Sequence, residues 1–60
     1  MLVTKLKKYV EDKGIKVVWL SKKTGVNWTD RFLGRVKTKT EELEKACKAL
    51  NIKVRDLEEN

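Results

Sequence analysis

Apolar residues recur three and four positions apart through residues 2–13. They are Leu2, Val3, Leu6, Tyr9 and Val10, and threonine, lysine and acidic residues stand between them. This spacing places the apolar side chains on one face of an α-helix and leaves the opposite face to water. The pattern therefore predicts a first amphipathic helix that Gly14 ends, after which Ile15 returns to the core.

A second helix is predicted for residues 17–24, directly before Gly25. Val17 and Leu20 face inward in this helix, and Ser21 is small enough to let a neighbouring helix approach closely. Glycine adopts positive φ at little steric cost, so Gly25 can end the helix and let the chain turn sharply. Two helices joined by such a turn form a helix-turn-helix, in which the second helix is presented to a DNA major groove.

The third helix is predicted to start after Asn27, a favourable N-cap residue, with Asp30 completing a pattern similar to a capping box. Val26 lies just before this start and is expected in the angle between the two helices. Apolar residues follow at a helical spacing: Trp28, Phe32 and Val36, with Leu33 beside them. Because Gly34 interrupts this pattern, the helix ends either near Leu33 or at about Val36.

The remaining sequence predicts a basic loop and one or two more helices. Thr38 or Thr40 is expected to cap helix four, which has acidic residues in its first turn. Its buried stripe is Leu43, Ala46, Cys47 and Leu50, and Asn51 is expected to take the left-handed conformation at its end. A last short helix, 54–58, is anchored by Leu57. The chain is therefore predicted to be all-α, a compact bundle of four to five short helices forming a single domain, residues 1–60.

The size and composition of the chain argue against catalysis. Sixty residues bury a small core and leave no room for an enclosed substrate cavity. The chain has no histidine and a single cysteine, Cys47, so neither an enzyme nor a metal or cofactor site is expected. A lone thiol suits a reducing cytoplasm, and its place on an apolar stripe indicates an inert core residue. No apolar run approaches the length of a membrane span, and lysines interrupt the first ten residues, so neither a span nor a signal peptide is expected.

Positive charge is concentrated in the first two thirds of the sequence. The whole chain carries +6, but residues 1–40 contain eleven Lys and Arg against three Asp and Glu, a net +8, whereas residues 41–60 carry a net −2. The positive charge therefore coincides with the predicted helix-turn-helix and the loop after it. A basic surface on one side of a small protein indicates a polyanionic partner.

Three stretches of the chain have an order and spacing that are found in a known family of domains. They are KLKKYVEDKGI (5–15), VVWLSKKTGVNW (17–28) and TEELEKACKALNIKVRDL (40–57). In this order and spacing the chain resembles the lambda-repressor-like helix-turn-helix domains of the Cro/repressor or XRE family. The resemblance implies a five-helix bundle that binds duplex DNA through helix three, usually as a dimer. It also implies a cytoplasmic, nucleoid-associated protein encoded by a prokaryote, a phage or a mobile element.

The sequence departs from the family pattern at several positions. Val17 stands where the family commonly has a phosphate-binding glutamine, and Ser21 stands where it usually has alanine. The inward aliphatic position of helix three falls on Arg31, and the connection to helix four is short. These departures predict a third helix that is rotated, shortened or shifted in register.

Candidate DNA contacts follow from the predicted helices. Base contacts are expected from polar or aromatic residues in and just after helix three: Asn27, Trp28, Thr29, Arg31 and Arg35. Arg31 is expected to point outward if Phe32 points inward. Asn27 is either a base contact or only a cap, and Trp28 is a core residue, a groove residue or part of a surface patch. Phosphate contacts are expected from lysines at the start and end of helix two and in the basic loop: Lys16, Lys22, Lys37 and Lys39.

Val18, Trp19 and Leu20 are consecutive and apolar, and they cannot all face inward from one helix. Val18 or Trp19 is therefore expected to be partly exposed, as a patch for a dimer or another partner. Two functions remain open. The first is a small, sequence-specific, double-stranded DNA-binding regulator of transcription or recombination. The alternative is a protein-interaction module that keeps the helix-turn-helix scaffold, such as an antirepressor or a recombination accessory factor.

Overall fold

The computed structural model describes residues 2–58, and over this range the chain forms five α-helices without a β-strand. The helices are α1 (Leu2–Asp12), α2 (Val17–Thr24), α3 (Trp28–Phe32), α4 (Thr40–Ala49) and α5 (Val54–Glu58). The predicted all-α class and the small helical bundle are confirmed. Three residues of the predicted 1–60 domain, Met1, Glu59 and Asn60, lie outside the described residues.

The five helices enclose one hydrophobic core in a body of 25 × 20 × 19 Å. Helix α2 packs against α3 and α4, while α1 packs against α5 and α3. The buried residues come from every helix and from the turn before α3: Leu6, Val10, Leu20, Val26, Trp28, Leu43, Ala46, Cys47 and Leu57. The solvent side of α2 and one side of α3 therefore remain at the surface.

The boundaries of α2 and α5 are those that the sequence predicts, and α1 ends one residue earlier than predicted. Gly25 ends α2 with φ of 73°, and its N–H donates to the carbonyl of Ser21 at 2.8 Å. Val26 is buried between the two helices, as its position after the glycine predicts. We call residues 25–27 the α2–α3 turn.

Helix α3 has five residues and does not extend to residue 36. Gly34, at φ of 79°, donates to the carbonyl of Arg31 at 3.2 Å, and Arg35 N–H donates to the carbonyl of Asp30 at 2.9 Å. This pair of bonds is a Schellman motif, which ends the helix because only glycine takes the left-handed position freely. The prediction that Leu33 and Val36 extend the apolar face is consequently wrong: they are 60% and 41% exposed.

Helix α4 begins differently from the prediction. Its N-cap is Lys39, not a threonine, and the Glu42 carboxylate accepts the Lys39 backbone N–H at 2.9 Å. Thr40 is the first helical residue, whereas the buried hydroxyl of Thr38 has no hydrogen-bond partner. The acidic side chain three residues into the helix therefore satisfies the N-terminal backbone in place of a hydroxyl.

The end of α4 follows the prediction, and its predicted buried stripe is confirmed except at Leu50, which follows the helix and is only partly buried. Asn51 takes the left-handed conformation with φ of 58°, and Leu43, Ala46 and Cys47 are buried. Burial raises the pKa of the Cys47 thiol, with a smaller contribution from Asp56, and this favours the neutral form. The longest helix of residues 2–58 has eleven residues, and none of the described helices has the length and apolarity that a membrane span requires.

Candidate nucleic-acid interface

Trp28 lies in the core and has no exposed surface. Its indole N–H donates to the Thr24 hydroxyl at 2.9 Å, and its ring packs against Phe32 with the ring centroids 5.6 Å apart. A buried tryptophan is stable when its N–H has a partner, and Thr24 supplies that partner. The prediction that Trp28 contacts a base is therefore wrong, and of the three positions left open, the core is the one observed.

The hydroxyls of α2 hold the α2–α3 turn in place. The Thr24 hydroxyl donates to the Leu20 carbonyl at 2.8 Å and accepts from the Val26 N–H at 3.3 Å as well as from the Trp28 indole. The hydroxyl of Ser21 accepts the backbone N–H of Trp28 at 3.2 Å. Sequence reasoning missed both roles, although a buried tryptophan four residues after a threonine is a signal that could have indicated one of them.

Asn27 is the N-cap of α3, as predicted. Its Oδ1 accepts the Asp30 backbone N–H at 3.3 Å, and its Nδ2 donates to the Asp30 carboxylate at 3.1 Å. Both ends of the amide are thus used within the protein, but the residue is exposed and the two bonds face water. A base contact by Asn27 stays a prediction, and it requires Nδ2 to exchange Asp30 for a base edge.

Arg31 is bound by Glu42 of α4. Its Nε and Nη2 donate to the two carboxylate oxygens of Glu42 at 3.1 and 2.8 Å, and its Nη1 donates to the Asn27 carbonyl at 3.1 Å. The two side chains are only 16% and 15% exposed. The expectation that Arg31 faces outward when Phe32 faces inward is wrong, because Glu42 in the first turn of α4 binds the guanidinium. Arg31 is therefore not free to read a guanine in this conformation.

The Arg31–Glu42 pair shifts the titration of both groups. Hydrogen bonds from the Arg31 guanidinium, followed by the one from the Lys39 backbone, lower the pKa of Glu42 to about 2 from its ordinary 4.5. The same hydrogen bond raises the pKa of Arg31. Glu42 was not among the residues that the sequence predicted, since it is eleven positions from Arg31 and only the tertiary fold brings them together.

We expect the Glu42→Gln variant to lose stability at neutral pH and to converge with the wild type in acid. A depressed carboxyl pKa stabilises the fold above the unfolded value, about pH 4.5, and this contribution disappears as the pH falls through about 2. Glutamine can still accept the Lys39 N–H, so the variant removes the charge and keeps the cap. The measurement is the midpoint of urea unfolding, monitored by circular dichroism, at a series of pH values from neutral down to about 2.

Glu44→Gln is the matched control for this experiment, because it removes an exposed carboxylate from the same helix. We expect the difference between Glu42→Gln and the wild type to narrow across the acid range, and Glu44→Gln to show no comparable change. Identical pH profiles for Glu42→Gln and the wild type would contradict the assigned pair.

The exposed side of α3 has mixed polarity. Asn27, Thr29 and Leu33 are exposed in and next to α3, and the Asp30 carboxylate lies 3.9 Å from the Arg35 guanidinium. The Arg35 side chain is 72% exposed, so this pair is loose and the arginine can turn toward another anion. Thr29 and Arg35 are therefore the predicted base contacts with the greatest freedom.

Two of the predicted base contacts line different shallow grooves beside α3. Thr29 and Leu33 line one groove together with Val17 of α2, whereas Arg31 lines the other with Lys37 of the α3–α4 connection. The four predicted phosphate contacts, Lys16, Lys22, Lys37 and Lys39, are all exposed. Lys16 directly precedes α2, and Lys37 and Lys39 precede α4, so cations lie along the chain on both sides of the α2–α3 turn.

Helix α2 exposes both residues of the predicted patch. Val18 is 62% exposed and Trp19 is 43% exposed, where the sequence required only one of them to be at the surface. Leu20 takes the single inward position of the three and is fully buried. The apolar surface on α2 is therefore larger than predicted.

No family model, curated protein or solved structure matches this chain. Within residues 2–58, no group of three or more Cys, Asp or Glu side chains is placed to hold a metal ion. The site is thus defined by its exposed cations, the α2–α3 turn and the polar side of α3.

Proposed function

We propose that this protein is a small, sequence-specific regulator that binds double-stranded DNA in the manner of Cro/repressor helix-turn-helix domains. The observation that carries the proposal is the distribution of charge around the α2–α3 turn. Residues 1–40 have a net charge of +8, and Lys16, Lys37 and Lys39 are exposed on the segments that lead into and away from the two helices. A duplex is a polyanion that a small, strongly basic protein fits.

In this proposal α3 enters the major groove with Asn27 and Thr29 at its leading end, and Arg35 follows from the chain beyond it. Short polar side chains and an arginine fork suit base edges, and the exposed lysines suit phosphates on either side. The Asp30 carboxylate faces the same side, where Arg35 offsets its charge. Asp30 then either accepts from a cytosine amino group or acts only within the cap.

The regulatory outcome in this proposal is control of transcription or of a recombination event, in the nucleoid of a prokaryote or from a phage or mobile element. A single domain of this size covers little DNA and binds weakly alone. We therefore include in the proposal a weak homodimer or cooperative occupation of repeated sites. Each neutralised phosphate steepens the slope of log affinity against log salt concentration by close to 0.9.

The experiment that tests this proposal is fluorescence anisotropy of a labelled random duplex, followed by a duplex selected from a library. We expect roughly micromolar binding to random duplex at low salt, weakening steeply as salt rises, and tighter, cooperative binding to the selected duplex. An absence of binding to either duplex at low salt would overturn the proposal, and tight non-cooperative binding of a single copy would overturn its dimer component.

We expect the Asn27→Ser variant to bind random duplex as the wild type does but to lose preference for the selected site. Serine caps a helix about as well as asparagine, so α3 keeps its start while the amide that reads a base is removed. Loss of one base contact costs about 1–3 kcal/mol of discrimination. If the ratio of the affinities for the selected and the random duplex is unchanged in Asn27→Ser, Asn27 acts only as a helix cap.

The protein-interaction alternative is favoured by one observation, the exposure of both Val18 and Trp19. DNA binding through α3 does not require apolar side chains on the outer side of α2. The two functions use different parts of the surface except at Lys22, a predicted phosphate contact that lies on the same helix as Val18 and Trp19.

A further inference from the structure

The outer side of α2 carries two apolar side chains that expose much of their surface to solvent. Val18 is 62% exposed and Trp19 is 43% exposed. Exposed tryptophan is unusual on a free surface, and tryptophan is the residue most enriched among those that dominate binding energies at interfaces. We call Val18, Trp19 and the lysines that border them the Trp19 surface.

The lysines of the Trp19 surface are Lys22 and Lys23. They follow Trp19 by three and four positions on the helix, so their side chains lie on the same face as the indole. Both are exposed, and the sequence contains no acidic residue between Asp12 and Asp30. The Trp19 surface therefore has an apolar centre and a basic border, and α2 carries no carboxylate that would offset the positive charge.

The basic border continues onto α4. Lys23 lines a shallow groove together with Lys45 and Lys48, which are exposed on the neighbouring helix. Thr24 and Ala49 complete the lining, so the groove has a neutral floor between three ammonium groups. The tertiary fold thus adds two cations to a surface that the sequence presents as part of α2 alone.

We propose that the Trp19 surface docks an acidic segment of another protein, one that inserts an apolar side chain against Val18 and Trp19 and sets carboxylates against the lysines. A second copy of this chain fits poorly. A two-fold contact would oppose lysines to lysines, and like charges placed against each other across an interface cost several kcal/mol.

A nucleic acid also fits this surface less well than an acidic polypeptide does. Phosphates would pair with the lysines, but the backbone of a duplex offers no apolar group to cover Val18. An acidic amphipathic segment satisfies both parts of the surface at once, with apolar burial supplying affinity and charge supplying orientation. The inference does not depend on DNA binding by α3.

The test uses three synthetic peptides of about 15 residues, a length at which helices are marginal when free. The first peptide has leucines on one face of a helix and glutamates on the other. The second peptide has lysine in place of each glutamate, and the third has serine in place of each leucine. Binding to the full chain is followed by anisotropy of the labelled peptide and by tryptophan emission. Because Trp28 is sealed in the core, changes in emission and in acrylamide quenching report on Trp19.

We expect saturable binding of the first peptide only, with a blue shift and protection from quenching. Trp19→Ser should weaken it about tenfold or more, the loss typical of a dominant interface residue, and Lys22→Glu with Lys23→Glu should weaken it comparably. Leu33→Ser is the matched control, because Leu33 is as exposed as Val18 but lies on α3. It should leave the affinity unchanged.

Four results would overturn the inference. Equal affinities for the first and third peptides would show that no apolar contact forms. Equal affinities of the wild type and Trp19→Ser for the first peptide would show that the peptide binds elsewhere. A blue shift that grows with protein concentration alone would assign the surface to a second copy. Protection of Trp19 by a random duplex, in the absence of peptide, would assign it to nucleic acid.

Discussion

Replacing Trp28 with alanine should remove at least about a third of the free energy of unfolding of this protein at room temperature, and all of it where the total lies at the low end of its range. Truncating a buried tryptophan costs about 3–5 kcal/mol, through lost apolar contact and the cavity that remains. A folded chain of 60 residues has a total stability of about 3–9 kcal/mol. The variant also leaves the Thr24 hydroxyl without its indole donor in the part-buried α2–α3 turn. The measurement is urea or thermal unfolding followed by far-ultraviolet circular dichroism.

Trp19→Ala is the matched control, because it makes the same chemical change at a site that is 43% exposed. We expect its free energy of unfolding to fall by clearly less than that of Trp28→Ala, because the cost of truncation scales with the apolar area that is buried. Trp28→Phe should fall between the two, since it retains an aromatic ring and loses the hydrogen bond to Thr24. An unfolding midpoint of Trp28→Ala equal to that of the wild type would contradict the buried position of Trp28.

The second large effect is expected in DNA binding when Lys16, Lys37 and Lys39 are changed together to glutamine. If each contacts one phosphate, the slope of log affinity against log salt should fall by about 2.7, and affinity for random duplex should drop on the order of 100-fold at about 0.1 M salt. Glutamine is polar and uncharged and only one atom shorter than lysine, and the three sites are exposed, so the fold should be retained. The measurement is the anisotropy titration of a random duplex at several salt concentrations.

The control removes the same number of charges from another part of the surface. Lys45, Lys48 and Lys53 are exposed on α4 and just after it, and their replacement by glutamine lowers the net charge equally. We expect this variant to lose affinity weakly and to keep the salt slope of the wild type. Equal losses in both triple variants would show that binding follows net charge and not the proposed surface.

Local sequence signals predicted most of the fold. The ends of the helices depend on residues within a few positions, such as Gly25 with its left-handed conformation, and Asn51, which ends α4 in the same way. Helical spacing likewise identified Leu6, Leu20 and Leu57 as inward residues, and all three are buried. These features depend on short-range geometry, which a sequence pattern contains in full.

The side chains of α3 could not be predicted in the same way. The direction of Arg31 depends on Glu42, whose carboxylate lies beside it only after α4 has folded against α3. Trp28 is equally consistent with core or surface until Thr24 is seen to accept its N–H. The partner of Arg31 is eleven positions away and could not be predicted from local spacing, whereas the partner of Trp28 is only four positions away.

The carboxylate of Glu42 has two duties, since it holds the guanidinium of Arg31 and also accepts the amide that opens α4. A phosphate that recruits this arginine would have to displace Glu42, and the carboxylate would then lie beside the phosphate without its cation. The hydrogen bond from the Lys39 amide can persist through this exchange, so the cost would fall on the affinity of Arg31 for the phosphate and leave the start of α4 in place.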